Sequence, residues 1–321
     1  MKTQTVVSFK SPLGRPVEII KQTFTAAGDK PGKRISFVAG LHGDELEGVY
    51  LCHRLIETLQ QLKNTQPQAF LGEIHVYPAV NTQALGCTSR LSPFFKNDMN
   101  RQMGDNNDAS FTAQLATALL DDLQAVSDIV VDFHASNLHL RELPQIRIIE
   151  GFDKKLVPLA ALCNMDLIWV HPSAPVFEST LGYNLNHRKI PTLVVETGIS
   201  LRIHQGFCEQ ILQGMIHLMR QTGVLKLEGP PQQVKQSLRV NPRQVALVQA
   251  NHSGLFISNV ALGDHVNKGE PLGKIIDAVQ GKTLETVTFP ASGVLFTLRE
   301  QPVTYEGATL ARIALKETSP Q

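Results

Sequence analysis

Two imidazoles and one carboxylate stand where this sequence can bring them together. In Gly40-Leu41-His42-Gly43-Asp44-Glu45, His42 and Glu45 are three residues apart, where an apolar segment passes into a helix-like pattern. At a helix start that spacing puts both side chains on one side, and an imidazole with a carboxylate so placed can take two positions of a tetrahedral zinc. The pair alone also reads as a surface histidine beside first-turn acids that suit the helix dipole. His134 ends the run Val130-Val131-Asp132-Phe133-His134. It adds a third ligand, and a set of two histidines and one glutamate leaves the fourth position of a catalytic zinc to water. Asp132, two residues back and on the same side of a strand, is placed to orient a ligating imidazole. Taken alone, His134 reads first as a satisfied histidine terminating a strand.

Other residues offer chemistry around such an ion. Leu193-Val194-Val195 leads into Glu196 before Thr197-Gly198, and partial desolvation at a strand tip raises a carboxyl pKa. Glu196 can then take a proton from water and pass it to a leaving amine; the plainer reading is a helix cap or a surface acid before a glycine turn. The long non-periodic stretch 89–101 carries Arg90, Asn100 and Arg101. Its guanidinium forks can meet a carboxylate or a developing oxyanion, with the Asn100 amide beside them. Without a metal nearby they are ordinary solvated arginines.

These candidates depend on strands and helices that alternate. Segment 34–39 reads as an apolar strand and 44–62 as a helix; strands at 74–80, 129–133, 146–149, 167–170 and 192–195 interleave with helices near 109–126, 154–163 and 203–222. The strands are apolar nearly throughout, which predicts an α/β fold with a mostly parallel or mixed sheet covered on both faces. His42, His134 and Glu196 all fall at strand ends, where open α/β sheets collect ligands. After Gly223 the pattern changes. Residues 226–242 hold Gly229-Pro230-Pro231 and little periodicity, and read as a linker. Beyond it, short strands at 245–248, 254–257, 272–276, 286–289, 293–296 and 310–314 with frequent glycines predict a small all-β domain. The expected division is a catalytic domain at 1–225, the linker, and the β domain at 243–321.

Composition narrows the partners. Thirty basic against twenty-nine acidic residues give a net charge of +1, so no summed field favours nucleic acid or an anionic membrane. No apolar run approaches the roughly 20 residues that span a bilayer, and the N-terminus lacks an apolar signal core; a soluble, cytoplasmic protein is expected. Cys52, Cys87, Cys163 and Cys208 form no C-x-x-C pair, which leaves any metal to histidine and carboxylate.

The ordered set Gly40-x-His42-Gly43-x-Glu45, Asp98-Met99-Asn100-Arg101, Asp132-Phe133-His134 and Val195-Glu196-Thr197-Gly198 resembles the succinylglutamate desuccinylase/aspartoacylase family of zinc amidohydrolases, relatives of the metallocarboxypeptidases. The resemblance covers roughly residues 33–223, and the tail resembles the barrel-sandwich domain at the C-terminus of many members. It implies one zinc ion per chain on His42, Glu45 and His134, with Glu196 as general base and acid. It also implies that Arg90 polarises the scissile carbonyl while Asn100 and Arg101 bind a substrate carboxylate. Gln102-Met103-Gly104 stands where many members have Phe-Pro-Gly, a departure in the wall beside the carboxylate site.

The expected activity is hydrolysis of the amide bond in an N-acylated amino acid or similar small carboxylate compound. A metallocarboxypeptidase acting on short peptides is the alternative within the same chemistry, and a noncatalytic zinc-containing binding module the alternative outside it. The tail is expected to cover part of the active site or to make a subunit contact in a homo-oligomer. Lys282, in Gly281-Lys282-Thr283, lies where lipoyl and biotinyl carriers present a lysine; it lacks their flanking residues and is read as solvated. His139, His171, His187 and His204 are expected at loops or element ends around the cleft.

Overall fold

A computed structural model describes residues 1–11, 13–26, 32–104, 109–230 and 233–315. The first two thirds of the chain build a mixed sheet from β1 (Lys2–Lys10), β2 (Pro16–Phe24), β3 (Arg34–Ala39), β4 (Glu73–Tyr77), β5 (Ile129–Ala135), β6 (Leu140–Ile149), β7 (Leu167–His171) and β8 (Thr192–Gly198). Its helices are α1 (Leu46–Thr65), α2 (Thr82–Gly86), α3 (Phe111–Val126), α4 (Asp153–Ala160), α5 (Leu181–His187) and α6 (Gln205–Gln221). Strand order begins β1-β2-β4-β3-β5-β8-β6. The four strands β4, β3, β5 and β8 run parallel, while β6 returns antiparallel to β8.

Alternation along each strand divides the sheet into two faces. Ile35, Phe37 and Ala39 of β3, Val131 and Phe133 of β5, and Leu193 and Val195 of β8 enter one core with Leu51, Leu55 and Leu59 of α1 and Ile211, Met215 and Leu218 of α6. Val38 and Val130 enter a second core on the other face, under Leu115, Leu119 and Leu123 of α3 and Leu181 and Leu185 of α5. The α/β architecture with helices on both faces is thus the one the periodicity predicts. On the α3 face, β5 passes from Val130 to Asp132 and His134. The same pleat that buries its apolar residues therefore delivers its polar ones to the strand's C-terminal end.

The C-terminal strands are β9 (Leu238–Val240), β10 (Val245–Gln249), β11 (Gly254–Ser258), β12 (His265–Val266), β13 (Pro271–Asp277), β14 (Lys282–Thr288), β15 (Gly293–Arg299), β16 (Val303–Thr304) and β17 (Thr309–Leu315). Between residues 233 and 315 the described residues form no α-helix. β14-β13-β11-β16 make a four-stranded sheet, whose Phe256, Leu272 and Ile275 share a core with Leu295, Leu310 and Ile313. The expected boundaries do not interrupt the large sheet: β15 pairs with β6 through Thr297, Leu298 and Arg299, extending the order to β15-β17-β10. Within the segment expected as a linker, β9 joins the edge of β7 and buries Val240. Lys282 opens β14, where it is exposed. Among the described residues no helix is long and apolar enough to cross a membrane.

Candidate active site

β3 ends at Ala39, and the chain turns through Gly40 to place His42 and Glu45 before α1 begins at Leu46. Gly43 is required by this turn, because a Cβ there would overlap the backbone of Ala84 and Leu85 in α2. From β5, His134 faces the same space. His42, Glu45 and His134 are all buried, and one donor atom from each lies within 4.8 Å of the others. Glu45 sits between the two rings: its Oε1 is 2.7 Å from His42 Nδ1 and its Oε2 is 2.8 Å from His134 Nδ1.

Each imidazole has a carboxylate behind it. Asp98 Oδ1 is 3.0 Å from His42 Nε2, and Asp132 Oδ2 is 3.0 Å from His134 Nε2. With a metal bound, an Nε2–H donated to such an acceptor would leave the Nδ1 lone pair for the ion, the arrangement metal-ligating histidines adopt. Burial would push both rings down in pKa, yet Glu45, Asp98 and Asp132 outweigh it and favour positive charge on His42 and, strongly, on His134. Burial alone would raise Asp98; its bond with His42 and the charges of Arg90 and Arg101 instead hold it below the usual carboxylate range. Three carboxylates converging on two buried imidazoles suit a cation, and the nitrogen, nitrogen and oxygen donor set suits a divalent metal.

The other predicted residues share one cavity with this cluster. It measures about 640 Å³ and is lined by His42, Glu45, Arg90, Asn100, Arg101, His134 and Glu196, among others. Glu196 pairs in register with His134 on the neighbouring parallel strand, so both side chains project on the same face. Burial raises the Glu196 pKa, against the opposing pull of Arg147 and His134. Arg90 donates to Glu45 Oε1 and Asp98 Oδ2, each at 3.2 Å, and keeps 42% of its side chain exposed. Asn100 accepts from the Leu181 N–H at 2.8 Å, and its Nδ2 lies 3.4 Å from His134 Nε2. Arg101 donates to the Asn100 carbonyl at 2.8 Å.

Of the additional histidines, His171 lines this cavity and His187 a neighbouring one, while His204 bonds Glu47 on α1. The sequence reading passed over Glu142, Arg147, Trp169 and Arg312, which also line the cavity. Arg147 carried a visible signal, a lone charge inside the apolar run Ile146-Arg147-Ile148-Ile149. Ile146 and Ile148 enter the first core, so the pleat turns Arg147 to the face that carries Glu196.

Residues 31–222 match the succinylglutamate desuccinylase/aspartoacylase catalytic domain. With this fold and cluster, the chain belongs to the succinylglutamate desuccinylase/aspartoacylase family. A relative from Halomonas elongata, N-alpha-acetyl-L-2,4-diaminobutyric acid deacetylase, is 26% identical over 93% of this chain and 85% of its own length. Among solved structures, a succinylglutamate desuccinylase/aspartoacylase from Rhodobacter sphaeroides superposes with a TM-score of 0.80 at 21% identity, covering 99% of this chain and 96% of that one. The product-bound ectoine utilization protein EutE (DoeB) from Ruegeria pomeroyi gives 0.79 at 18% identity, covering 97% and 93%.

Proposed function

We propose that the chain is a zinc-dependent hydrolase cleaving the amide bond of an N-acylated amino acid or related small carboxylate compound. The observation that carries this reading is the convergence in one cavity of the His42, Glu45 and His134 donors with Glu196 and Arg90. Membership of a desuccinylase/aspartoacylase family and the deacetylase relative support the same chemistry.

His42, Glu45 and His134 would hold the zinc, which when bound supplies Lewis acidity that makes water a nucleophile at neutral pH. Glu196 takes a proton from the attacking water as its oxygen bonds to the acyl carbon. The Arg90 guanidinium, at the mouth of the cluster, offers donors to the negative charge that develops on the scissile oxygen. As the carbon–nitrogen bond breaks, Glu196 returns the proton to the amine nitrogen. Asn100 and Arg101 bind a substrate carboxylate, which orients the amide toward Glu196.

The test is turnover of a panel of N-acyl amino acids and short peptides with zinc present. Hydrolysis of N-acyl amino acids supports the proposal; preferential release of C-terminal residues from peptides replaces it with a carboxypeptidase, and no turnover of either overturns it.

A further inference from the structure

Beyond Glu196 the cavity wall holds a second charged cluster. The Glu142 side chain on β6 is 1% exposed and accepts four hydrogen bonds. On Oε2 it receives Gln145 Nε2 at 2.8 Å and Arg147 Nη2 at 2.6 Å; on Oε1 it receives Thr297 Oγ1 at 3.3 Å and Arg312 Nη1 at 3.0 Å. Thr297 belongs to β15, where it pairs in register with Glu142, and Arg312 belongs to β17. Both guanidinium groups lie over Trp169, with their Cζ atoms 5.5 and 5.7 Å from the ring centre, within cation–π range. The other amino group of Arg147, Nη1, stands 3.4 Å from Glu196 Oε1.

One guanidinium between two carboxylates divides unequally here, 2.6 Å to Glu142 against 3.4 Å to Glu196. The short bond keeps Arg147 from closing on Glu196, where a full ion pair would occupy the oxygens a general base needs free. Arg312 and Thr297 in turn fix the Glu142 carboxylate. We propose that Glu142, Arg147 and Arg312 are positioning residues that set where the Glu196 carboxylate stands, so that the C-terminal strands complete the catalytic cavity. The proposal rests on the reading of Glu196 as the base.

Crystal structures of the zinc-free wild type, Glu142→Gln, Arg312→Met and Arg147→Met test the geometry independently of turnover. In Glu142→Gln, Arg147 is expected to close on Glu196 to the roughly 2.8 Å of a charge-assisted pair. In Arg147→Met the Glu196 side chain is expected to leave its wild-type position. Kinetics give the second readout. Glu142→Gln should lower kcat about tenfold with KM within about twofold, since a displaced base costs transition-state stabilisation rather than binding. Arg147→Lys should recover more of kcat than Arg147→Met, and Glu142→Gln combined with Arg147→Met should lose no more than Arg147→Met alone.

Unmoved Arg147 and Glu196 in both Glu142→Gln and Arg312→Met would overturn the proposal, as would multiplicative kcat losses in the double variant. If Glu142→Gln fails to fold, Arg312→Met carries the same geometric test, because its site is partly open, with 24% of the side chain exposed. Displacement of Glu196 in a protein that turns over no panel member would support the relay and overturn the hydrolase reading.

Discussion

Asp132→Asn should weaken zinc binding without unfolding the protein. The Asp132 side chain is 1% exposed, and its Oδ2 holds His134 Nε2 at 3.0 Å. As a carboxylate it only accepts, so it fixes the tautomer that leaves Nδ1 as a lone pair, and its charge makes the ring a better donor. Asparagine keeps the shape, but it removes the charge and can rotate its NH₂ toward the ring, stabilising the tautomer with Nδ1 protonated. Loss of such a partner weakens metal affinity by about 10- to 100-fold, or about 1.4–2.7 kcal/mol. Asp98, the partner of His42, is 16% exposed and also engages Arg90, so Asp98→Asn should lose less in the higher local dielectric. A competitive chelator titration at fixed pH measures both. An Asp132→Asn affinity within about twofold of wild type, or a larger loss for Asp98→Asn, would refute this assignment of the partners.

Three further outcomes are expected. Glu196→Gln keeps stoichiometric zinc but loses at least about 10²-fold in kcat; steady-state kinetics with metal analysis check it, and full activity removes Glu196 from the chemistry. Gly43→Ala, whose Cβ overlaps the Ala84 backbone, destabilises by about 1–3 kcal/mol as α2 is forced away; an unchanged melting temperature contradicts that packing. Burial and the nearby charge of Lys21 lower the His75 pKa to about 4. The unfolded chain, at about 6.5, therefore binds a proton that the folded chain refuses, and stability falls as pH drops from about 6.5 to about 4, by up to about 3 kcal/mol. Denaturant titrations across that window should show the slope in the wild type and a flatter one in His75→Gln; equal slopes would show that His75 does not titrate this way.

The parts of the fold legible in the sequence are those whose local pattern and burial coincide. Arg34–Ala39, Ile129–Ala135 and Thr192–Gly198 are largely buried strands with apolar runs, the last two with polar residues towards their C-terminal ends, so both the sheet and the ends that carry His134 and Glu196 could be read from periodicity. The β1–β2 hairpin was not legible: β1 mixes Lys2, Thr3, Gln4 and Thr5 with few apolar residues, as an edge strand with little buried surface can. Only its distal half was visible in β6, because Glu142 and Pro144 interrupt the apolar pattern where the register shifts against β8. Helix α5 is short and rich in asparagine, glycine and histidine, and its residues are set by packing on β8 rather than by propensity. Long-range pairing escaped altogether: nothing local to Thr297 or Arg312 announces that both meet Glu142, 155 and 170 residues away. The cluster of His42, Glu45 and His134 was readable because its members sit at the ends of two neighbouring parallel strands, β3 and β5, a place where topology makes meeting the default.

Anomalous diffraction at the zinc absorption edge, on crystals of the full chain equilibrated with stoichiometric zinc, bears most directly on the proposed centre. The expected map has one strong peak per chain, at about 2.0–2.2 Å from a nitrogen of His42, a nitrogen of His134 and an oxygen of Glu45, and His42→Ala loses it. A peak bound elsewhere, or no peak at a zinc concentration that supports turnover, would contradict it.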